Sequence, residues 1–138
     1  TTCINDTGPI LGRIKNNQVH LNQYGTIADK YWQEIPEHFE ETVLDEYVIM
    51  PDHIHGILKI NKPESAAKPR EFSDRQAGSL STIVGSYKAF VTKKINKLRD
   101  NPAGSIWQPN YYDRVVRGEK ELYRIRKYIE RNPINWKQ

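Results

Sequence analysis

Only one cysteine, Cys3, stands in the 138 residues, so the chain can close no internal disulfide and build no cysteine-based zinc site. That usage fits a reducing, cytoplasmic compartment. No stretch approaches the ~18 consecutive apolar residues that a membrane helix requires, which leaves a helical membrane anchor without a candidate. Thr1-Thr2-Cys3-Ile4-Asn5 is too short and too polar for a secretory signal, and a first residue other than Met reads as a trimmed start. Apolar residues make up 37% and charged residues 28%, the balance of a single soluble domain large enough to bury its own core. One domain over 1–138 is therefore expected.

What is present is charge, and it is unevenly placed. Residues 1–78 carry 8 Lys and Arg against 12 Asp and Glu, whereas residues 79–138 carry 13 against 5. The basic half also holds Tyr87, Phe90, Trp107, Tyr111, Tyr112 and Tyr123. Cations that follow phosphates and rings that stack on bases are the two components of a single-stranded nucleic-acid groove. A solvated basic surface is the plainer meaning of the same charge.

The order of elements is readable from periodicity. Gly12–Lys15 and Gln18–Leu21 alternate around Asn16-Asn17 and predict a hairpin. Tyr24, Ile27, Tyr31 and Ile35 recur at helical spacing, with Asn22 as cap and Pro36 as stop. Val43–Ile49 and Ile54–Ile60 are β-branched, apolar runs flanking Pro51-Asp52, expected as two neighbouring strands or one strand bent at the proline. Residues 62–77, rich in Pro, Ser, Ala and charge, read as a flexible loop. Leu80, Val84, Tyr87, Val91, Ile95 and Leu98 define a second helix that offers Lys93 and Lys97 on another side. Ile106–Val116 reads as an aromatic-rich strand, and 119–132 as a third helix closed by Pro133. This order predicts an α+β fold: a ferredoxin-like (split βαβ, RRM-like) antiparallel sheet with helices on one face and an extra C-terminal helix.

Residues two apart on a strand share a face, so His53 and His55 can present their imidazoles side by side. Neutral imidazole suits transition metals, and a further oxygen donor widens the choice to Mg2+ or Mn2+. His-x-His is a short pattern that also falls on ordinary exposed strands. On the third helix, Arg124, Tyr128 and Asn132 fall one turn apart on one face, beside the apolar stripe of Leu122, Ile125 and Ile129. If that edge lies over the histidines, Asn132 can lend its amide oxygen to the metal, Tyr128 can act as nucleophile and Arg124 can hold a phosphate. Spacing alone does not single out Tyr128 among eight tyrosines.

Four ordered blocks carry a family resemblance: Tyr47-Val48-Ile49-Met50-Pro51-Asp52-His53-Ile54-His55-Gly56-Ile57, the helix of residues 79–94, Ile106-Trp107-Gln108-Pro109-Asn110-Tyr111-Tyr112-Asp113-Arg114, and Ile125-Arg126-Lys127-Tyr128-Ile129-Glu130-Arg131-Asn132-Pro133. Over nearly its whole length the chain resembles the single-tyrosine HUH transposases, especially the REP-associated tyrosine transposases of bacteria. The resemblance implies that His53, His55 and Asn132 bind a divalent metal and that Tyr128 is the nucleophile. It implies cleavage of single-stranded DNA at or beside a small hairpin, with a 5′-phosphotyrosine link and a free 3′-OH, in a bacterial, nucleoid-associated setting. Tyr111, Tyr112, Arg114, Lys93, Lys97 and Arg124 are then the expected DNA contacts. Relatives include monomers and homodimers that share helices, so either state is compatible, and no membrane partner is implied. The family's first strand normally carries more apolar residues before Cys3, which departs from the pattern here. Two other classes fit the same residues: a non-catalytic hairpin binder, and a nuclease that acts through metal-bound water.

Overall fold

A computed structural model describes residues 1–6, 8–61 and 79–136. In chain order it contains β1 (Thr2–Cys3), β2 (Gly12–Lys15), β3 (Gln18–Leu21), α1 (Gln23–Gln33), α2 (Ile35–His38), β4 (Thr42–Ile49), β5 (His53–Ile60), α3 (Leu80–Leu98) and α4 (Gly118–Glu130). The expected loop at 62–77 lies outside the described residues. Among the described residues the protein is an α+β fold with an antiparallel sheet and four helices. Among the described residues no helix is long and apolar enough to cross a membrane.

Local chemistry accounts for most element ends. Asn16 and Asn17 have φ of 53° and 61°, so both centre residues of the β2–β3 turn are left-handed, the conformation that suits a two-residue hairpin and that asparagine tolerates. Asn22 caps α1 by accepting from the backbone N–H groups of Tyr24 and Gly25. Ser79 caps α3 through Thr82 N–H. Pro36, expected as a stop, sits instead in the first turn of α2, where its missing N–H would have no helical partner anyway.

The main sheet is ordered β1-β5-β4, all antiparallel. Pro51 and Asp52 form the corner between β4 and β5, closed by Met50 N–H donating to His53 O at 2.7 Å, so the two runs are neighbouring strands. Val43–Leu44 pair with Lys59–Leu58, yet Tyr47 pairs with Gly56, which leaves one extra residue on β4 between Leu44 and Tyr47. This β-bulge lets Leu44 and Tyr47 both face the core while Asp45 is turned to the other side.

The strand expected over Ile106–Val116 is a correction. Only an isolated antiparallel bridge, Ile4 to Trp107, forms there. The segment still tracks the outer edge of β1: Asn5 N–H donates to Ile106 O, Gln108 N–H to Cys3 O and Tyr112 N–H to Thr1 O, each at 2.8 Å. Pro109 offers no N–H and Asn110 is left-handed at φ 66°, so a continuous ladder cannot propagate past Gln108.

The layers follow from strand alternation. Ile54 packs in the main core with Ala28, Trp32 and Ile35 and with Ile83, Tyr87, Val91 and Ile95 of α3. α1 and α3 therefore cover the Ile54 face. His53 and His55 point to the opposite face, where α4 lies against β4 and β5. Gly56 is on the core face, and a Cβ there would sit 2.5 Å from Trp32 Cζ2 and 3.0 Å from Tyr47 Cβ. Gly56→Val should therefore overpack the Trp32 contact and lower stability by about 1–3 kcal/mol, read as a lower midpoint in a urea melt.

Candidate active site at the β5 and α4 junction

Two features fasten α4 across the sheet. Ile129 is fully buried, with Leu122 and Ile125 half-buried on the same stripe. Arg126 grips Asp45 with two parallel bonds, Nε to Oδ1 at 2.7 Å and NH2 to Oδ2 at 2.6 Å. A bidentate fork fixes direction as well as distance, and the Arg126 bonds hold the Asp45 carboxyl below its usual range. The β4 bulge is what aims Asp45 at this helix.

With α4 so placed, the histidine pair and the tyrosine helix meet within one chain. The Tyr128 ring stands edge-on to His55, centroids 5.3 Å apart and planes inclined by 63°. Tyr128 remains 58% exposed, so its hydroxyl-bearing ring is open to a substrate from outside. Asn132 Oδ1 lies 3.4 Å from His53 Nε2. The helix ends at Glu130, two residues short of the expected 132, because Pro133 disfavours helical backbone at the residue before it. Asn132 still reaches the site through a final turn, its N–H donating to Ile129 O at 3.1 Å and its side-chain Nδ2 to Tyr128 O at 2.6 Å.

The donors around His53 fit a cation. Asp52 Oδ1 is 2.7 Å from His53 Nδ1, and an ionised carboxylate only accepts, so the ring proton belongs on Nδ1 and Nε2 is left as an acceptor. Asn132 directs its amide N–H to the Tyr128 carbonyl, which turns its oxygen toward Nε2. Two acceptors thus face each other at 3.4 Å, an arrangement that repels unless a cation or a second ring proton intervenes. Neighbouring ligands about 2.1 Å from a common ion stand roughly 3.0–3.4 Å apart, which this pair matches. Among the described residues no group of three or more His, Cys, Asp or Glu is gathered for a metal. Of the three residues expected as ligands, His53 and Asn132 are brought together at 3.4 Å, and His55 stands on the same strand face against Tyr128.

His55 is held neutral. Burial first, with His53 beside it, pushes its pKa from 6.5 down to about 4. A neutral imidazole is the form that binds metals. The unfolded chain protonates this ring first as pH falls, so the stability from the neutral ring is complete above pH 6.5 and is lost on the way to about 4. An NMR titration of the metal-free protein should give His55 a midpoint near 4; a midpoint near 6.5 would contradict the burial argument.

The other expected contact residues are distributed unevenly. Arg124 is exposed on α4, one turn before Tyr128. Arg114 pairs with Glu121. Tyr112 is 72% exposed beside β1, whereas Tyr111 donates from its hydroxyl to Ser81 Oγ at 3.4 Å. Lys93 and Lys97 are exposed on α3, in the layer across the sheet from the histidines, and so are not brought to the site. Four residues were missed by sequence reasoning. Asp52, adjacent to His53 in the same motif, could have been found from its position; the Asp45 and Arg126 partnership and the stacking of Trp136 on His53 at 6.5 Å could not. A cavity of about 310 Å³ opens beside His53, lined by Cys3, Asn5, Asp6, Asp52 and Gln108 among others.

The molecule is thus an α+β protein in which a pair of strand histidines is covered by a helix bearing a tyrosine, with an asparagine in the turn that follows it. An uncharacterized protein of Haemophilus influenzae is 35% identical over 146 aligned positions, a match that covers 100% of this chain and 80% of the relative. The chain belongs to the family of that protein. No family model matches the chain. No solved structure matches it.

Proposed function

We propose that this protein is a metal-dependent, single-tyrosine DNA strand-transfer enzyme of the HUH transposase type. The observation that carries the reading is the meeting, in one chain, of Tyr128 against His55 and of Asn132 Oδ1 against His53 Nε2. The sheet order supports it: Trp107 bridges to the β1 edge, followed by β5 and β4, which is the order of a split βαβ unit whose last strand is reduced to one bridge. Because the tyrosine and the histidines share a chain, a monomer would suffice for catalysis.

His53, His55 and Asn132 would hold Mg2+ or Mn2+, which when bound neutralises charge on the scissile phosphate and polarises phosphorus. Tyr128 supplies the nucleophile from an exposed ring, and its phenol proton passes to solvent. The Tyr128 oxygen bonds to phosphorus, the bond from phosphorus to the 3′ oxygen breaks, and the 3′ oxygen takes up a proton. The 5′-phosphotyrosine conserves the bond energy of the cut strand, so a second 3′-OH can reverse the step and reseal without ATP. Arg124, one turn along the same helix, is suited to a neighbouring phosphate, and the basic C-terminal half to single-stranded or hairpin DNA.

The test is a denaturing gel of the protein incubated with hairpin-bearing single-stranded oligonucleotides of randomised flanks. With Mg2+ or Mn2+ a covalent adduct should form, chelation should abolish it, and Tyr128→Phe should remove it while leaving oligonucleotide binding. An adduct of normal yield from Tyr128→Phe sinks the assignment. Cleavage that survives in that variant would instead indicate attack by metal-bound water, and tight binding without cleavage under any metal would indicate a binder.

A further inference from the structure

Asp52 stands at the corner of the β4–β5 turn, and His53 begins β5 directly after it. The carboxylate closes back on its neighbour, Oδ1 to Nδ1 at 2.7 Å. The His53 ring is bounded on two further sides: the Trp136 ring lies 6.5 Å away at 28°, and Asn132 Oδ1 faces Nε2 at 3.4 Å. Ile4 N–H donates to Asp52 O at 2.8 Å, and Met50 N–H to His53 O at 2.7 Å, so the backbone carrying both side chains is tied on each side of the corner. A ring so confined cannot interchange its two nitrogens without breaking the carboxylate contact.

We infer that Asp52 is a positioning residue, which holds His53 in the Nδ1–H tautomer and thereby keeps an unprotonated Nε2 aimed at Asn132. The inference rests on the metal-centre reading for its consequence but not for its geometry. Carboxylate partners of ligating histidines fix the ring and make the outer nitrogen a better donor, and their removal typically weakens metal affinity about 10- to 100-fold. Asn132 is oriented by the same logic, since its amide N–H is committed to the Tyr128 carbonyl. Each of these two donors is thus aimed by a second group. The tie to Tyr128 O also couples the amide to the residue that bears the nucleophile.

The experiment has a spectroscopic arm and a binding arm. Nitrogen-15 shifts of His53 in the metal-free protein at pH 8 should show a protonated Nδ1 and an unprotonated Nε2. In Asp52→Ala the ring should move to a mixture rich in Nε2–H, and Mn2+ should bind about 10- to 100-fold more weakly by calorimetry. Asp52 is 60% exposed in its side chain, and an unchanged thermal melt should show that the variant folds. A wild-type ring protonated on Nε2 or on both nitrogens overturns the inference, as does Asp52→Ala with an unchanged tautomer or an unchanged Mn2+ affinity. If the tautomer shifts as expected while the wild-type protein takes up no Mn2+, the positioning role stands and the metal-dependent reading falls.

Discussion

The candidate site exists only because α4 is clamped across β4 and β5, and the clamp is a partnership between one buried stripe and one ion pair. Ile129 supplies an area-driven attraction that is not directional. The Arg126 fork on Asp45 adds the direction, because two parallel bonds to a planar carboxylate tolerate little rotation. Sliding of the helix would break the fork before it exposed the stripe. Tyr128 and Asn132 lie on either side of Ile129 along the chain, so fixing that residue and Arg126 fixes the side chains that face the histidines.

The clamp in turn depends on an irregularity. Without the extra residue on β4, Asp45 and Tyr47 would share a face, as alternation demands. The bulge separates them, sending Tyr47 to Asp29 and Trp32 in the core and Asp45 to Arg126 on the opposite side. One inserted residue thus serves both faces of the sheet. Bulges commonly re-aim a side chain beside a functional site, and this one acts at a distance through the helix it anchors.

The site has a division of labour between its two histidines. His55 is kept neutral by burial, while His53 is governed by the Asp52 carboxylate at one nitrogen and the Asn132 oxygen at the other. His53 Nε2 and Asn132 Oδ1 stand 3.4 Å apart, a spacing that either a ring proton or a cation between them satisfies. On the other layer, the exposed lysines of α3 are separated from this chemistry by the full thickness of the sheet, so the basic charge of the C-terminal half is not a single surface.

Local rules made much of this legible in the amino-acid sequence. Asparagine pairs and caps, alternating runs and the α3 stripe obey short-range sterics and hydrogen bonding, so the hairpin, α1, β4, β5, α3 and α4 could be placed without coordinates. His53 and His55 on one face, and Tyr128 and Asn132 near each other, follow from the periods of a strand and a helix. The Ile106–Val116 segment was misread because its aromatic pattern promised a strand while Pro109 and the left-handed Asn110 forbade the ladder. Tertiary structure alone decided that α4 covers its own chain's histidines, through the contact of Arg126 with Asp45, 81 residues away in sequence. Pairings of that range depend on how whole elements dock and on a bulge whose position no local period encodes.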